Sequence, residues 1–363
     1  MPALRVLLTA LTGLVTACAP QPPPRRPAVL VHVMPWFESK DRSGAWGWHW
    51  TMDKRNPDRG ELAAHDRPLI GPYDSSDPAV VAYQVALMKA AGVDGVILDW
   101  YGPGGFKDYE AIHRASLLLV AEVKKAGLKF AVCVEDNAGA RFMKEAGLSR
   151  AAATSKVAES FDWLEKHWLR DPDYFRLGGR PALLIFGPQY LTEPEWTAIR
   201  TRMPSSPLVF TLPHLAFRAG GSWGVDGAYA WIPVSEGRTI APEAWKAEFA
   251  ALHQGPDKDR MLAAAFPGYR DFYAEAGLHA SYGRIDHRDG ATFAESLDLA
   301  LSSGAKVVQI ATWNDYGEDT GIEPTAKRGH RELETLMRRL RPGADTAELS
   351  RMTEAFLKAR GRR

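Results

Sequence analysis

A single (β/α)8, or TIM, barrel is the fold class this sequence predicts, with a leader and tether before it and a helical extension after it. Three observations predict it. Eight short apolar runs recur along the chain, amphipathic stretches separate them, and the alternation fills about 300 of the 363 residues, a size the fold tolerates. The bulk composition agrees: 45% hydrophobic and 25% charged residues suit one large packed core and exclude disorder, collagen-like repeats and a multi-span membrane protein. Lys and Arg number 45 against 44 Asp and Glu, so the formal charge of +1 supplies no field to recruit nucleic acid.

Residues 1–18 read as an export leader. Arg5 carries positive charge, and residues 6–15 form an apolar core of about ten residues, too short to cross a bilayer as a helix. Val15-Thr16-Ala17-Cys18 then closes the segment with small residues before a cysteine. Those four residues resemble the lipobox of bacterial lipoproteins, which implies lipidation at Cys18 and a membrane partner reached through that anchor. Residues 19–28, rich in proline, follow as a stiff tether. The chain is therefore expected to be exported and anchored to the bacterial cell envelope.

The barrel is expected over residues 29–341. Its strand candidates are 29–33, 95–98, 130–134, 182–186, 208–211, 227–231, 261–265 and 307–312, each rich in Val, Ile, Leu or aromatics, as strands buried on both faces should be. Helices are expected at 78–91 and 109–126, with Gly92 and Gly127 positioned to end them, and at 155–168, 193–203, 242–253, 291–301 and 331–340. The connection between the fifth and sixth strands has little helical pattern. A doubly wound open sheet is the alternative, but no G-x-G-x-x-G follows the first run. Residues 342–363 read as a basic, solvated helical tail, the chain after Thr325 holding eleven Lys and Arg against five Asp and Glu. Cys133 lies inside an apolar run and is expected to be buried; with Cys18 it completes the cysteine inventory, so no disulfide framework exists.

Barrel chemistry sits where the strands end, and these ends are polar and aromatic. Trp36 and an alternating Trp46, Trp48 and Trp50 follow the first strand; on an extended loop the three would share one side. Asp99, Trp100 and Tyr101 follow the second, Glu135 the third, Trp231 the sixth and Tyr269 the seventh. The eighth delivers Thr312-Trp313-Asn314-Asp315-Tyr316-Gly317-Glu318, with Glu323 beyond. Carboxylates interleaved with Trp and Tyr suit a carbohydrate: aromatic planes pack on C–H faces, and acids bind hydroxyls and move protons. Asp315 and Glu318, three apart on one turn, are the expected catalytic pair, because glycosidic cleavage needs two carboxyl groups flanking the bond. Asp99, Trp100, Tyr101, Glu135, Trp36, Trp48, Trp231, Tyr269, Trp313, Asn314 and Glu323 are the expected substrate contacts. His32, inside the first strand, could face the core or the site.

The segment from Thr312 to Glu318 resembles the catalytic motif of glycoside hydrolase family 71, the endo-α-1,3-glucanases. The stretch from Trp313 to Pro324, ending Gly321-Ile322-Glu323-Pro324, resembles equally that of family 99, the endo-α-mannosidases and endo-α-mannanases. The resemblance, loose elsewhere, runs over residues 29–325 and includes Gly92-Val93-Asp94-Gly95 leading to Asp99-Trp100-Tyr101-Gly102, and Gly179-Arg180-Pro181. It implies an endo-acting hydrolase of an α-linked glucan or mannan, with Asp315 as general base and Glu318 as general acid. By the same analogy Asp99 and Glu135 bind hydroxyls or orient the pair. Family 99 has Glu where Asp315 stands and Trp-His where Tyr316-Gly317 stand. The shorter Asp315 leaves room for water and favours inversion; a route through the sugar's own 2-hydroxyl is what family 99 implies. After Glu318 the chain also departs from family 71, with Asp319-Thr320-Gly321.

The expected partner is a polysaccharide or oligosaccharide, with no nucleic acid, and the protein is expected to be a monomer. No metal and no cofactor are expected: the ten histidines show no H-x-x-x-H or H-E-x-x-H spacing, and no phosphate loop or G-x-S-x-G occurs. The alternatives are a non-catalytic sugar-binding surface lipoprotein, and an envelope-polysaccharide trimming enzyme or transglycosylase.

Overall fold

The structure, a computed structural model, describes residues 26–217 and 224–361. Cys18, the leader and most of the tether therefore lie outside the described residues. Eight strands form the barrel: β1 (Ala28–Val33), β2 (Gly95–Trp100), β3 (Lys129–Val134), β4 (Arg180–Ile185), β5 (Leu208–Thr211), β6 (Gly227–Tyr229), β7 (Met261–Ala265) and β8 (Val307–Ile310). Each pairs in parallel with the next, and β8 pairs with β1 in the register Val29↔Val308, which closes the ring. Closure leaves no strand edge unpaired and buries the strands on both faces, which is why they read as continuous apolar runs. At Gly95 the close approach of β3 is visible directly: a Cβ there would sit 2.3 Å from the Lys129 carbonyl oxygen.

The helices pack outside. Pro78–Ala91 shows why its bounds were readable: Asp77 accepts a hydrogen bond from the Ala79 N–H, proline opens the first turn, and Gly92 ends it at φ 90°. Helices at Tyr109–Lys125, Arg150–His167, Glu193–Thr201, Pro242–Gln254, Ala291–Ser302 and Arg331–Leu340 lie where the pattern placed them, within a few residues. Between β5 and β6 only a short helix, Pro213–Ala216, is described.

Three features differ from expectation. The tail is not a solvated extension: Ala347–Ala359 folds back on Pro78–Ala91, stacking Phe356 on Tyr83 at 4.4 Å, burying Leu349 and pairing Arg360 with Asp77 at 2.7 Å. Its charges occupy one face while the other is apolar, so basic composition concealed an amphipathic helix. The tryptophans after β1 do not share a side, because Trp48–Thr51 is a helical turn rather than an extended strand; Trp50 is fully buried, whereas Trp48 is 38% exposed. An unforeseen helix, Ala138–Ala146, follows β3. Among the described residues no helix is long and apolar enough to cross a membrane.

Candidate active site

The loop after β8 is built as a frame that presents two acids. The Thr312 and Thr320 backbones pair at 2.9 Å, and the Thr312 hydroxyl accepts from the Asp315 N–H at 2.8 Å. The Glu318 N–H donates to the Asp315 carboxyl at 3.1 Å, so backbone geometry fixes how that acid points. Arg270 and Phe272 N–H groups donate to the Glu318 and Gly317 carbonyls, tying this loop to the one after β7. Gly317 packs closely under the Met52 side chain, where a Cβ would lie 2.8 Å from the Met52 methyl and push it aside.

Asp315 and Glu318 open into one cavity of about 400 Å³ at the carboxyl ends of the strands. Asp99 and Glu135 enter it from β2 and β3, with Tyr101, Trp36, Trp231 and Tyr269 on its walls. A larger groove of about 960 Å³ adjoins it, sharing Trp36, Tyr101, Arg141 and Asp315, and Trp48 lines this outer part alone. His32 also faces the cavity, buried, with Nδ1 unpartnered; burial pushes it down to about 3, so the ring is neutral.

Four carboxyl groups in one desolvated hollow cannot all ionise at neutral pH. Burial raises Glu318 to about 8, the Asp315 charge adding to the effect, while the Tyr273 hydroxyl, donating at 3.2 Å, opposes it. Burial also raises Asp315, to about 7, opposed by backbone N–H groups and reinforced by Asp99. Asp99 and Glu135 are pushed up by burial in the same way, each against partial relief from Arg141. The two acids titrate as one pair, and burial holds both toward the protonated form, so near neutral pH the pair keeps a proton that it can donate.

Four expected contacts lie off the cavity. Side chains alternate along a strand, so with Asp99 turned inward Trp100 must turn outward; it is buried against Trp163 and Trp168, and its indole N–H donates to His113 at 3.2 Å. Trp313 is likewise sealed in the core. Asn314 clamps β1 instead of a sugar, accepting from the Met34 N–H at 2.8 Å and donating to its carbonyl at 2.9 Å. Glu323 lies behind, accepting from Gln84, Tyr73 and Tyr316 at 2.7, 2.9 and 2.7 Å. Since Asn314 also donates to the Tyr73 hydroxyl at 3.0 Å, both residues support the loop after β8 without touching the cavity.

Sequence reasoning missed Tyr273, Tyr282 and Arg141. Tyr273 stands four residues past Tyr269 in a segment without a sustained apolar pattern; Arg141 belongs to the helix that was not foreseen. One cluster offers metal-ligand atoms among the described residues: His32, Asp99 and Cys133 bring one each within 4.8 Å of one another. Burial pushes the Cys133 thiol well up, and a protonated thiol is a poor ligand, so this donor set fits a metal badly.

A closed parallel ring of eight strands with acids and aromatics gathered at its strand ends defines the class: a (β/α)8 barrel. Within it, the particular likeness is to family 99. The barrel matches the family 99 endo-α-mannosidase of Bacteroides thetaiotaomicron with a TM-score of 0.64 and 19% identity, over 92% of this chain and 98% of that one. A structure described as a glycoside hydrolase-like protein matches at 0.56 and 13% identity, over 88% of this chain and 95% of that one. In sequence, the chain is 26% identical over 368 residues to the uncharacterized protein WxcX of Xanthomonas campestris pv. campestris, covering 90% of this chain and 51% of WxcX. It is 26% identical over 282 residues to the glycoprotein endo-alpha-1,2-mannosidase-like protein of Danio rerio, covering 72% of this chain and 60% of the relative. The chain thus spans about half the length of WxcX and three-fifths of the Danio protein. No family model matches the chain.

Proposed function

We propose that the protein hydrolyses an α-linked mannose-containing glycan, cutting within the chain. One observation carries the reading: Asp315 and Glu318 open together into an aromatic-walled cavity, where burial raises the proton affinity of both. Glu318 donates its proton to the glycosidic oxygen as the C–O bond breaks. Asp315 accepts a proton from water, whose oxygen bonds to the anomeric carbon, or from the sugar's 2-hydroxyl. Asp99 and Glu135 bind hydroxyls beneath, and Trp36 and Trp231 hold the C–H faces. The family 99 likeness favours mannan over glucan.

The test is oligosaccharide release from α-mannans and α-glucans by the full chain, with NMR of the first-formed anomer. Release that disappears in Asp315→Asn and Glu318→Gln supports the proposal. Glycan binding that survives in both variants, beside a parent that releases nothing, overturns it in favour of a sugar-binding protein. We infer also, from Val15 to Cys18, a lipid anchor that holds the enzyme at the envelope; palmitate labelling lost in Cys18→Ser tests this.

A further inference from the structure

Beside the acids stands a guanidinium that feels the charge of Glu135 and Glu145 but makes an ion pair with no carboxylate among the described residues. Arg141, on the helix Ala138–Ala146, lines both the inner cavity and the outer groove. Its guanidinium sits 5.9 Å from the centre of the Tyr101 ring and near the Tyr109 hydroxyl, and it is ion-paired to nothing among the described residues. The acids around it are taken: Glu145 pairs with Lys107, Asp108 with His49 at 3.5 Å, and Glu110 with Arg114 at 2.7 Å. Asp99 and Glu135 lie in the same cavity, but burial drives both toward the uncharged form. One turn further along the helix, Lys144 faces the outer groove, also without an ion pair.

Arg141 offsets part of the charge of Asp99 and Glu135 from a distance, but cutting a neutral mannoside leaves its hydrogen-bonding fork without a charged partner. A hydroxyl is bound well enough by a neutral or acidic partner, whereas a planar fork held against an aromatic ring suits two oxygens sharing a negative charge. We propose that Arg141, with Lys144 behind it, binds an anionic group on a sugar next to the cleaved bond, either a uronate carboxylate or a phosphate ester. The preferred substrate is then an acidic α-linked glycan. This inference rests on the hydrolase reading for its location, and it names the substrate class of that same site.

The experiment is calorimetry on the full chain bearing Glu318→Gln, so that probes bind without being cut. The probes are an α-linked glucuronosyl-mannose, its carboxyl-reduced counterpart, and mannobiose with and without a 6-phosphate. One anionic probe binds about 10- to 100-fold more tightly than its neutral partner, as a charge-assisted bidentate contact requires. The carboxylate and phosphate arms identify which anion is read. Adding Arg141→Gln abolishes that preference by weakening the anionic probe far more than its neutral partner, and Arg141→Lys restores only part of it. Equal affinity for anionic and neutral probes overturns the inference, as does an Arg141→Gln loss that is the same for both. Failure of the hydrolase reading looks different: anion preference then persists while the unsubstituted protein cuts none of the probes.

Discussion

Replacing Glu318 by Gln should stabilise the fold at alkaline pH while removing activity. Burial lifts the Glu318 carboxyl from the ordinary 4.5 to about 8, so the native state keeps a proton that the unfolded chain releases between those values. The stability this group contributes is fully present below about pH 4.5 and is lost as pH rises through about 8. Gln has nearly the shape of the protonated acid and suffers no such loss. At 1.36 kcal/mol per pH unit the ceiling on the variant's advantage is about 5 kcal/mol above pH 8. Access to the cleft and proton sharing with Asp315 reduce this to about 1–3 kcal/mol. Urea denaturation of parent and variant at pH 5 and pH 8 measures it: the midpoints should nearly coincide at pH 5 and separate at pH 8, the variant higher. Parallel pH dependence in the two proteins would refute the claim that Glu318 is held protonated by its surroundings.

Two further outcomes follow from the same geometry. The pH profile of kcat/KM should be a narrow bell, rising through about 7 as the Asp315–Glu318 pair loses its first proton and falling through about 8 as it loses the second, whereas a plateau extending beyond pH 9 would remove the pair's acid. Trp100→Ala should cost about 3–5 kcal/mol of stability, seen in denaturation, with KM little changed, while Trp231→Ala should lower kcat/KM about tenfold with a smaller stability loss.

The fold was legible because a closed parallel barrel writes each strand as a short apolar run, and β5 and β7 were readable to the residue. The apolar pattern from Pro78 and the closing Gly92 did the same for one helix. The site was legible where chain direction alone placed residues: the ends of β2, β3 and β8 had to meet at the barrel mouth, bringing Asp99, Glu135, Asp315 and Glu318 together. Orientation was harder. Trp100 beside Asp99 was misplaced because adjacency was read as a shared face, although alternation along β2 dictates opposite ones. Trp46, Trp48 and Trp50 alternate in sequence, but a helical turn converts that spacing into different faces. Asn314 and Glu323 look like substrate contacts in sequence because they share the motif; only their bonds to Met34, Gln84 and Tyr73 reveal them as the frame. Arg141 and Tyr273 reach the cavity from segments whose local pattern says nothing about direction.

The central claim, that Glu318 protonates the leaving oxygen while Asp315 drives attack, is tested most directly by changing the leaving group. An α-linked disaccharyl fluoride needs no proton to depart. Glu318→Gln should turn it over at a rate near the parent's while failing on the natural linkage, and Asp315→Asn should fail on both. Loss of fluoride release in Glu318→Gln, or its survival in Asp315→Asn, would contradict the assignment.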